Sequence, residues 1–429
     1  MSALLAPDYT ESCLWQQQVT PPATPTGEVP AEVDVVVVGA GYCGLSAADT
    51  LAQFGKSVLV LDREPLGWGA SSRNCGMVLP ELKAGPAELA RQYGNVGPLL
   101  LQEVEQGFDH IEALVSGADG RGGIDCDYRR SGSLYLAHSP RHVAGLRAEA
   151  TNRAAAGENV RFLTAAELGQ EVGSELFHGG LLRERGGAVH PAKLHAGLAA
   201  RALASGAVIQ DRTAAESIGR RLGRFTVRTT RGMVTATDVI LATNGYADRA
   251  TPELARRVLP IGSYIIATEV LPDDVQRSLA PGNRMMFDTK NFLYYWRLTP
   301  DGRLAFGGRR SLDPVEVVVA RDFLYDAMLQ VHPQLTGTPI EYAWGGNIAA
   351  TVDRMPHVGR IDGAWYATGC NGSGVATNTW LGHQLGMTVA GAASPPAFAQ
   401  LQHRALPLKS LSPAYLPLVG RWFARQDHR

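Results

Sequence analysis

Between Val33 and Asp62 the chain reads VDVVVVGAGYCGLSAADTLAQFGKSVLVLD, and no other stretch restricts the fold so tightly. VDVVVV (33–38) and SVLVLD (57–62) are short, β-branched runs without a polar face, as expected of strands buried in a parallel sheet. LSAADTLAQFG (45–55), between them, has helical spacing and stops on glycine. The order strand, helix, strand is a βαβ unit, with Gly39, Gly41 and Gly44 in its first turn. Gly39 permits the tight turn, Gly41 lets a pyrophosphate approach the backbone at a helix N-terminus, and Gly44 lets helix and strand pack closely. Asp62 ends the second strand, where a carboxylate accepts hydrogen bonds from both ribose hydroxyls of an unphosphorylated adenosine. Together these residues predict dinucleotide binding. The competing reading is a purely structural glycine turn with Asp62 capping a strand.

Composition narrows the partners. The chain has 429 residues, 45% hydrophobic and 19% charged, enough for a large core and two or three domains. A formal net charge of −1 gives no electrostatic reason to expect nucleic acid or an anionic membrane. Cys13, Cys43, Cys75, Cys126 and Cys370 are scattered without a CxxC pair, which argues for free thiols and against a disulfide framework or a metal site. MSALLAPDYTESCLW does not have the pattern of a signal peptide, and no apolar run approaches the roughly 18 residues of a membrane span. A cytoplasmic protein is expected, as a monomer or homodimer.

Further along, TPPATPTGEVP (20–30) reads as the end of an extended leader, 1–29. Helical patterns occupy 86–116, 140–156, 193–206 and 322–333. FTVRTTRGMVTATDVILAT (225–243) reads as a hairpin running into a buried strand. IGSYIIATEVL (261–271), FLYYWRLTPDGRLAFGG (292–308) and EYAWGGN (341–347) alternate like antiparallel strands, with a hairpin turn at Asp301–Gly302. WYATGCNGSGVATNTWLGHQLGMTVAG (365–391) repeats the order strand, glycine loop, helix. A tail, 396–429, ends in an amphipathic helix carrying Trp422 and Phe423.

Four stretches carry a resemblance to a known family. GAGYCGLSAA followed by LD and GASSRNCG, then VILATNGYADR (239–249), the YYWRLTPDGRLAFGG hairpin and DRMPHVGRIDGAWYATGCNGSGVA (353–376) occur in the order seen in the D-amino-acid-oxidase-like (DAO) family of FAD-dependent oxidoreductases. The chain is most similar to the gamma-glutamylputrescine oxidase-like branch, whose members carry a GAS-x-RN-x-G loop. The resemblance covers roughly 30–395. It implies an α/β chain, α+β overall, in which a Rossmann-like FAD-binding domain (30–85, 186–250 and 345–395) is interleaved with an antiparallel-sheet substrate domain (86–185 and 251–344).

It also implies roles. Gly69, Ala70 and Ser71 would pass over the pyrophosphate, with Arg63 beside Asp62 and with Gly76 closing the loop; Arg73 and Asn74 would donate to phosphate or to the flavin edge. Ala215 would touch adenine, and Thr243, Asn244 and Gly245 would close a strand near the pyrophosphate. Gly369, Gly372, Ser373, Gly374 and Val375 would bring backbone amides and a helix N-terminus to the pyrimidine end of the flavin, where negative charge accumulates on reduction. Family members have a G-x-S-G-x-G loop there; this chain has GCNGSG, with Cys370–Asn371 replacing the usual pair. The cysteine and histidine tethers of some relatives are absent from Gly346–Asn347 and Ser72–Asn74, so the FAD is expected to be non-covalent.

The implied reaction converts an amine CH–NH to an imine, which water hydrolyses, with O₂ or another acceptor taking the electrons. The substrate is then a small amine or amino acid. Arg297 is the expected partner of a substrate carboxylate. Tyr264, Tyr294, Tyr295, Trp296 and Trp344 are candidate pocket walls, His357 is expected near the flavin, and Lys290 near the site of oxygen reaction. A flavoprotein that senses or recognises a partner without turning over substrate is the alternative.

Overall fold

The computed structural model describes residues 2–407, 409 and 412–427. Of the expected leader and tail, Met1, Leu408, Ser410, Leu411, His428 and Arg429 lie outside the described residues.

Two large sheets organise the chain. The first is built around the strand Glu32–Val38, which pairs in parallel with Val58–Leu61 on one side and Gly232–Leu241 on the other. Val208–Gln210 extends it in parallel beyond Val58–Leu61. Ala364–Thr368 pairs in parallel with the end of Gly232–Leu241, through Ile240 and Leu241. The hairpin of Arg224–Thr229 and Gly232–Leu241 forms as expected, turning at Thr230–Arg231. Val35, Val36 and Val37 are all buried because helices cover one face and the hairpin and its neighbours the other. Helices Tyr42–Gln53 and Val375–Val389 pack against each other, and Gly382 is a glycine for that reason: a Cβ there would lie 2.1 Å from the Cys43 carbonyl oxygen.

Among the described residues, nine strands form the second sheet, ordered Leu5–Thr10, Ile340–Ala350, Leu259–Thr268, Leu304–Gly308, Tyr295–Leu298, Met285–Asp288, Ser133–Leu136, Gly179–Arg183 and Val160–Thr164. Most neighbours are antiparallel, and the hairpin at Asp301–Gly302 forms as expected. One face packs on the helix Val317–Val331 through Tyr264, Trp296 and Phe306. The chain is therefore a mixed α/β protein in which a parallel, Rossmann-like unit is interleaved with an antiparallel sheet.

The first 29 residues do more than lead into this fold. Leu5–Thr10 is an edge strand of the second sheet, and Trp15, fully buried on the short helix Leu14–Gln17, wedges between His190 and Trp344. Proline content described only residues 20–30; the packing partners of Trp15 lie more than a hundred residues away. Among the described residues, no helix is long and apolar enough to cross a membrane, and no cluster of His, Cys, Asp or Glu is arranged to hold a metal ion. All five cysteines are free.

Candidate active site

A long cavity runs along the carboxyl ends of the parallel strands. Its two halves share Tyr42, Ala70, Ser71, Asn244 and Asn378 as walls, so they are continuous.

The first half is a nucleotide cradle. Gly39 has φ +108°, and a Cβ there would meet the Ala242 carbonyl oxygen at 2.8 Å, so only glycine makes this turn unstrained. Gly41 lines the cavity, whereas Gly44 sits behind it: a Cβ at Gly44 would come within 1.9 Å of the Gly39 carbonyl oxygen. Asp62 also lines it, accepting from the Ala40 amide at 2.8 Å and the Glu64 amide at 3.0 Å; burial raises its pKa. Arg63, Gly69, Ala215 and Thr243 complete this half. Arg63 pairs with Asp248 at 2.7 Å, and both are wall residues. The Thr243 hydroxyl is buried with no partner. A buried polar atom without a partner costs free energy, and a ligand phosphate or ribose would relieve it.

The second half lies under the antiparallel sheet. Arg73, Asn74, Gly372, Ser373, Gly374 and Val375 line it. Arg73 donates to the Gly345 carbonyl at 3.0 Å and lies 4.6 Å from the centre of the Trp68 ring, with its buried Nε unpartnered. Asn74 turns inward: its amide donates to the Ala70 and Ser71 carbonyls at 3.1 and 2.9 Å and its oxygen accepts from the Gly76 amide at 2.7 Å. It holds the loop's shape and has its amide hydrogens engaged there. Gly76, Gly245 and Gly369 lie outside the cavity wall, where a Cβ would strike Val189, Ile348 and Thr351 respectively. Their part is close packing behind the cradle.

In the second glycine loop, Asn371 and Gly372 have φ values of +47° and +93°. Asn371 accommodates this by accepting from the Thr351 amide at 3.2 Å and donating to the Gly369 carbonyl at 2.6 Å. Cys370 accepts a weak hydrogen bond from Asn244 at 3.2 Å. The replaced pair thus ties the loop to both neighbouring segments. Ser373 joins two side chains the sequence did not single out: Lys83 donates to its hydroxyl at 2.9 Å, and the hydroxyl donates to Glu81 at 3.0 Å.

The expected substrate residues fare differently. Tyr295 lines the cavity, 2.9 Å from the Ser263 hydroxyl. Arg297 shares its strand and face but lies one pleat further along, beyond the cavity wall. It is 1% exposed, donates to the Val189 carbonyl at 2.9 Å and lies 5.3 Å from the centre of the Trp15 ring. A carboxylate grip does not fit that position. Tyr264 and Trp296 face the helix-covered side, and Tyr294 packs in the same cluster. Trp344 is buried and donates to the Arg73 carbonyl at 2.8 Å. His357 is 3.0 Å from Asp353 and stacks on His403, away from the cavity. Lys290 lies over the Tyr294 ring, 3.8 Å from Asp288.

Arg309 faces the cavity instead. It follows Leu304–Gly308, where Gly307 and Gly308 leave room for the rings of Tyr295 and Tyr294. Burial lowers its pKa, its Nε has no hydrogen-bond partner, and it forms no ion pair among the described residues. The paired glycines before a basic residue were the available signal. Phe287, Leu293, Ile265 and Ile348 supply apolar wall around it.

A dinucleotide cradle that opens into a roofed apolar chamber defines a flavin-dependent oxidoreductase. The chain belongs to the DAO family of FAD-dependent oxidoreductases, whose model, described as FAD dependent oxidoreductase, matches residues 34–386. It is 36% identical over 384 residues to the gamma-glutamylputrescine oxidoreductase of Escherichia coli (strain K12), covering 87% of this chain and 88% of that one. Among solved structures, glycine oxidase from Geobacillus kaustophilus is similar with a TM-score of 0.74 at 22% identity, over 88% of this chain and 100% of that chain. An L-amino acid deaminase from Proteus vulgaris follows at 0.69 and 18%, over 87% and 93%. The structural likenesses are of fold. The family's cofactor is FAD, and the unpartnered Thr243 hydroxyl and the glycine cradle fit it.

Proposed function

We propose that this protein oxidises the CH–NH bond of an amine that also carries a carboxylate, giving an imine that water hydrolyses, with O₂ accepting the electrons. The observation that carries this reading is Arg309, a desolvated guanidinium facing the cavity without a carboxylate partner. Such a cation is stabilised by a bidentate anion from the substrate. Relatives named for gamma-glutamylputrescine and for glycine support the same substrate class.

FAD, when bound, accepts the hydride. The chain's residues do the rest. Arg309 orients the substrate through its carboxylate, while Phe287, Leu293 and Ile265 exclude water and favour the neutral amine. Tyr295, held by Ser263, presents its ring to the same chamber. Lys83, 3.7 Å from the Glu81 carboxylate and donating to the Ser373 hydroxyl, holds the second glycine loop against the wall.

An anaerobic screen of amines and amino acids, watching the absorbance band of oxidised flavin, tests the first part. Bleaching by carboxylate-bearing amines is expected. Bleaching only by amines without a carboxylate would overturn the role of Arg309. Readmitting air and finding no peroxide would overturn O₂ as acceptor.

A further inference from the structure

The helix Ser412–Asp427 packs against Phe292 and Leu312, whose neighbours in sequence line this chamber. Its last residue is the clearest contact. Asp427 accepts from the Asn291 amide and the Asn291 side chain through Oδ1, both at 2.8 Å, and from the Phe292 amide through Oδ2 at 2.9 Å. Phe423 packs edge-on against Phe292 at 6.3 Å, and Gly420 faces Leu312 and the Phe292 ring. Arg141 donates to the Gln426 carbonyl, tying the end of the helix down from a second side. The segments so held adjoin the chamber. Leu293 lines it directly after Phe292, Phe287 enters from the other end of the same turn, and Arg309 stands three residues before Leu312.

We propose that the C-terminal helix is a clamp for the substrate chamber, with Asp427 a positioning residue that fixes Leu293 and the rim in the arrangement the substrate meets. One carboxylate holding two successive amides and a side chain fixes the backbone just where the wall begins. A loop lacking that anchor samples wider arrangements and presents the wall less often. The consequence for catalysis rests on the reading of the chamber as an amine site; the clamp itself does not.

Holoenzyme carrying Asp427→Ala is compared with the parent and with Asp427→Asn, which retains one acceptor oxygen. Two readouts need no substrate: hydrogen exchange at the Asn291 and Phe292 amides, and the rate at which a maleimide modifies Cys370, the one cysteine not fully buried, on the chamber wall. Both are expected to rise roughly tenfold or more in Asp427→Ala, with Asp427→Asn between, since three hydrogen bonds to one carboxylate are lost. KM for the amine should rise roughly fivefold while kcat and FAD content stay within about twofold. Unchanged exchange and thiol reactivity would overturn the clamp, and faster exchange with an unaltered KM would overturn the positioning role of Asp427 toward substrate. A screen that finds no amine substrate would instead fail the oxidation reading, and the two substrate-free readouts would still decide the clamp.

Discussion

Trp344 donates its indole hydrogen to the carbonyl oxygen of Arg73 at 2.8 Å, joining the strand Ile340–Ala350 of the antiparallel sheet to the loop that walls the cavity. Trp344 therefore supports the cavity from behind. Trp344→Phe keeps the ring but loses this bond, at about 1 kcal/mol. FAD affinity, measured by reconstitution of the apoprotein, is expected to fall roughly fivefold. The KM for the amine should stay put; a change in KM alone would return Trp344 to the substrate wall.

Arg297 and Arg309 give opposite expectations. Arg309→Met removes the guanidinium from the chamber, so kcat/KM for a carboxylate-bearing amine should fall roughly a hundredfold. Amines lacking a carboxylate should be little affected. Arg297→Met leaves the chamber intact but deprives the Val189 carbonyl and the Trp15 face of their partner. Its effect is expected in thermal stability, with KM unchanged.

Gly41 and Gly44 differ in the same way. A Cβ at Gly41 meets only the Ser71 hydroxyl, at 3.0 Å, a group that can turn aside. Gly41→Ala should fold normally yet bind FAD at least roughly tenfold more weakly, because the methyl occupies the space of the pyrophosphate. A Cβ at Gly44 meets backbone, so Gly44→Ala should fail to accumulate as folded protein. Parent protein precipitated in acid should release its yellow colour to the supernatant, since Gly346–Asn347 and Ser72–Asn74 offer no tether.

Glu103 makes stability depend on pH. Burial pushes its pKa up from 4.5 to about 7, although the Ala397 amide donates to it. A carboxyl raised in the folded state contributes stability that is full below the unfolded value and lost as pH rises through the folded one. Glu103→Gln should therefore gain on the parent between about pH 5 and about pH 8, by ~1–2 kcal/mol allowing for partial exposure. Thermal melts at the two pH values measure it, and an unchanged difference would refute it.

Much of this architecture was legible early because the signals are local. Val33–Val38, Gly39 and Asp62 lie within one βαβ unit, and a positive φ or an apolar run leaves its mark on the residues that adopt it. The hairpin at Asp301–Gly302 belongs to the same class. The edge strand Leu5–Thr10 carried no such signal, since its pairing partner begins at Ile340.

Sequence alone thus determined the nucleotide cradle, the second glycine loop and, through motifs in order, the family and its cofactor. Which arginine faces the chamber was decided only by tertiary structure. Arg297 and Tyr295 share a face, and alternation cannot tell that Trp15 and Val189 close over one while the other stays open. Those covering groups come from segments remote in the chain, so their burial is a property of the packed whole and is written in no single stretch.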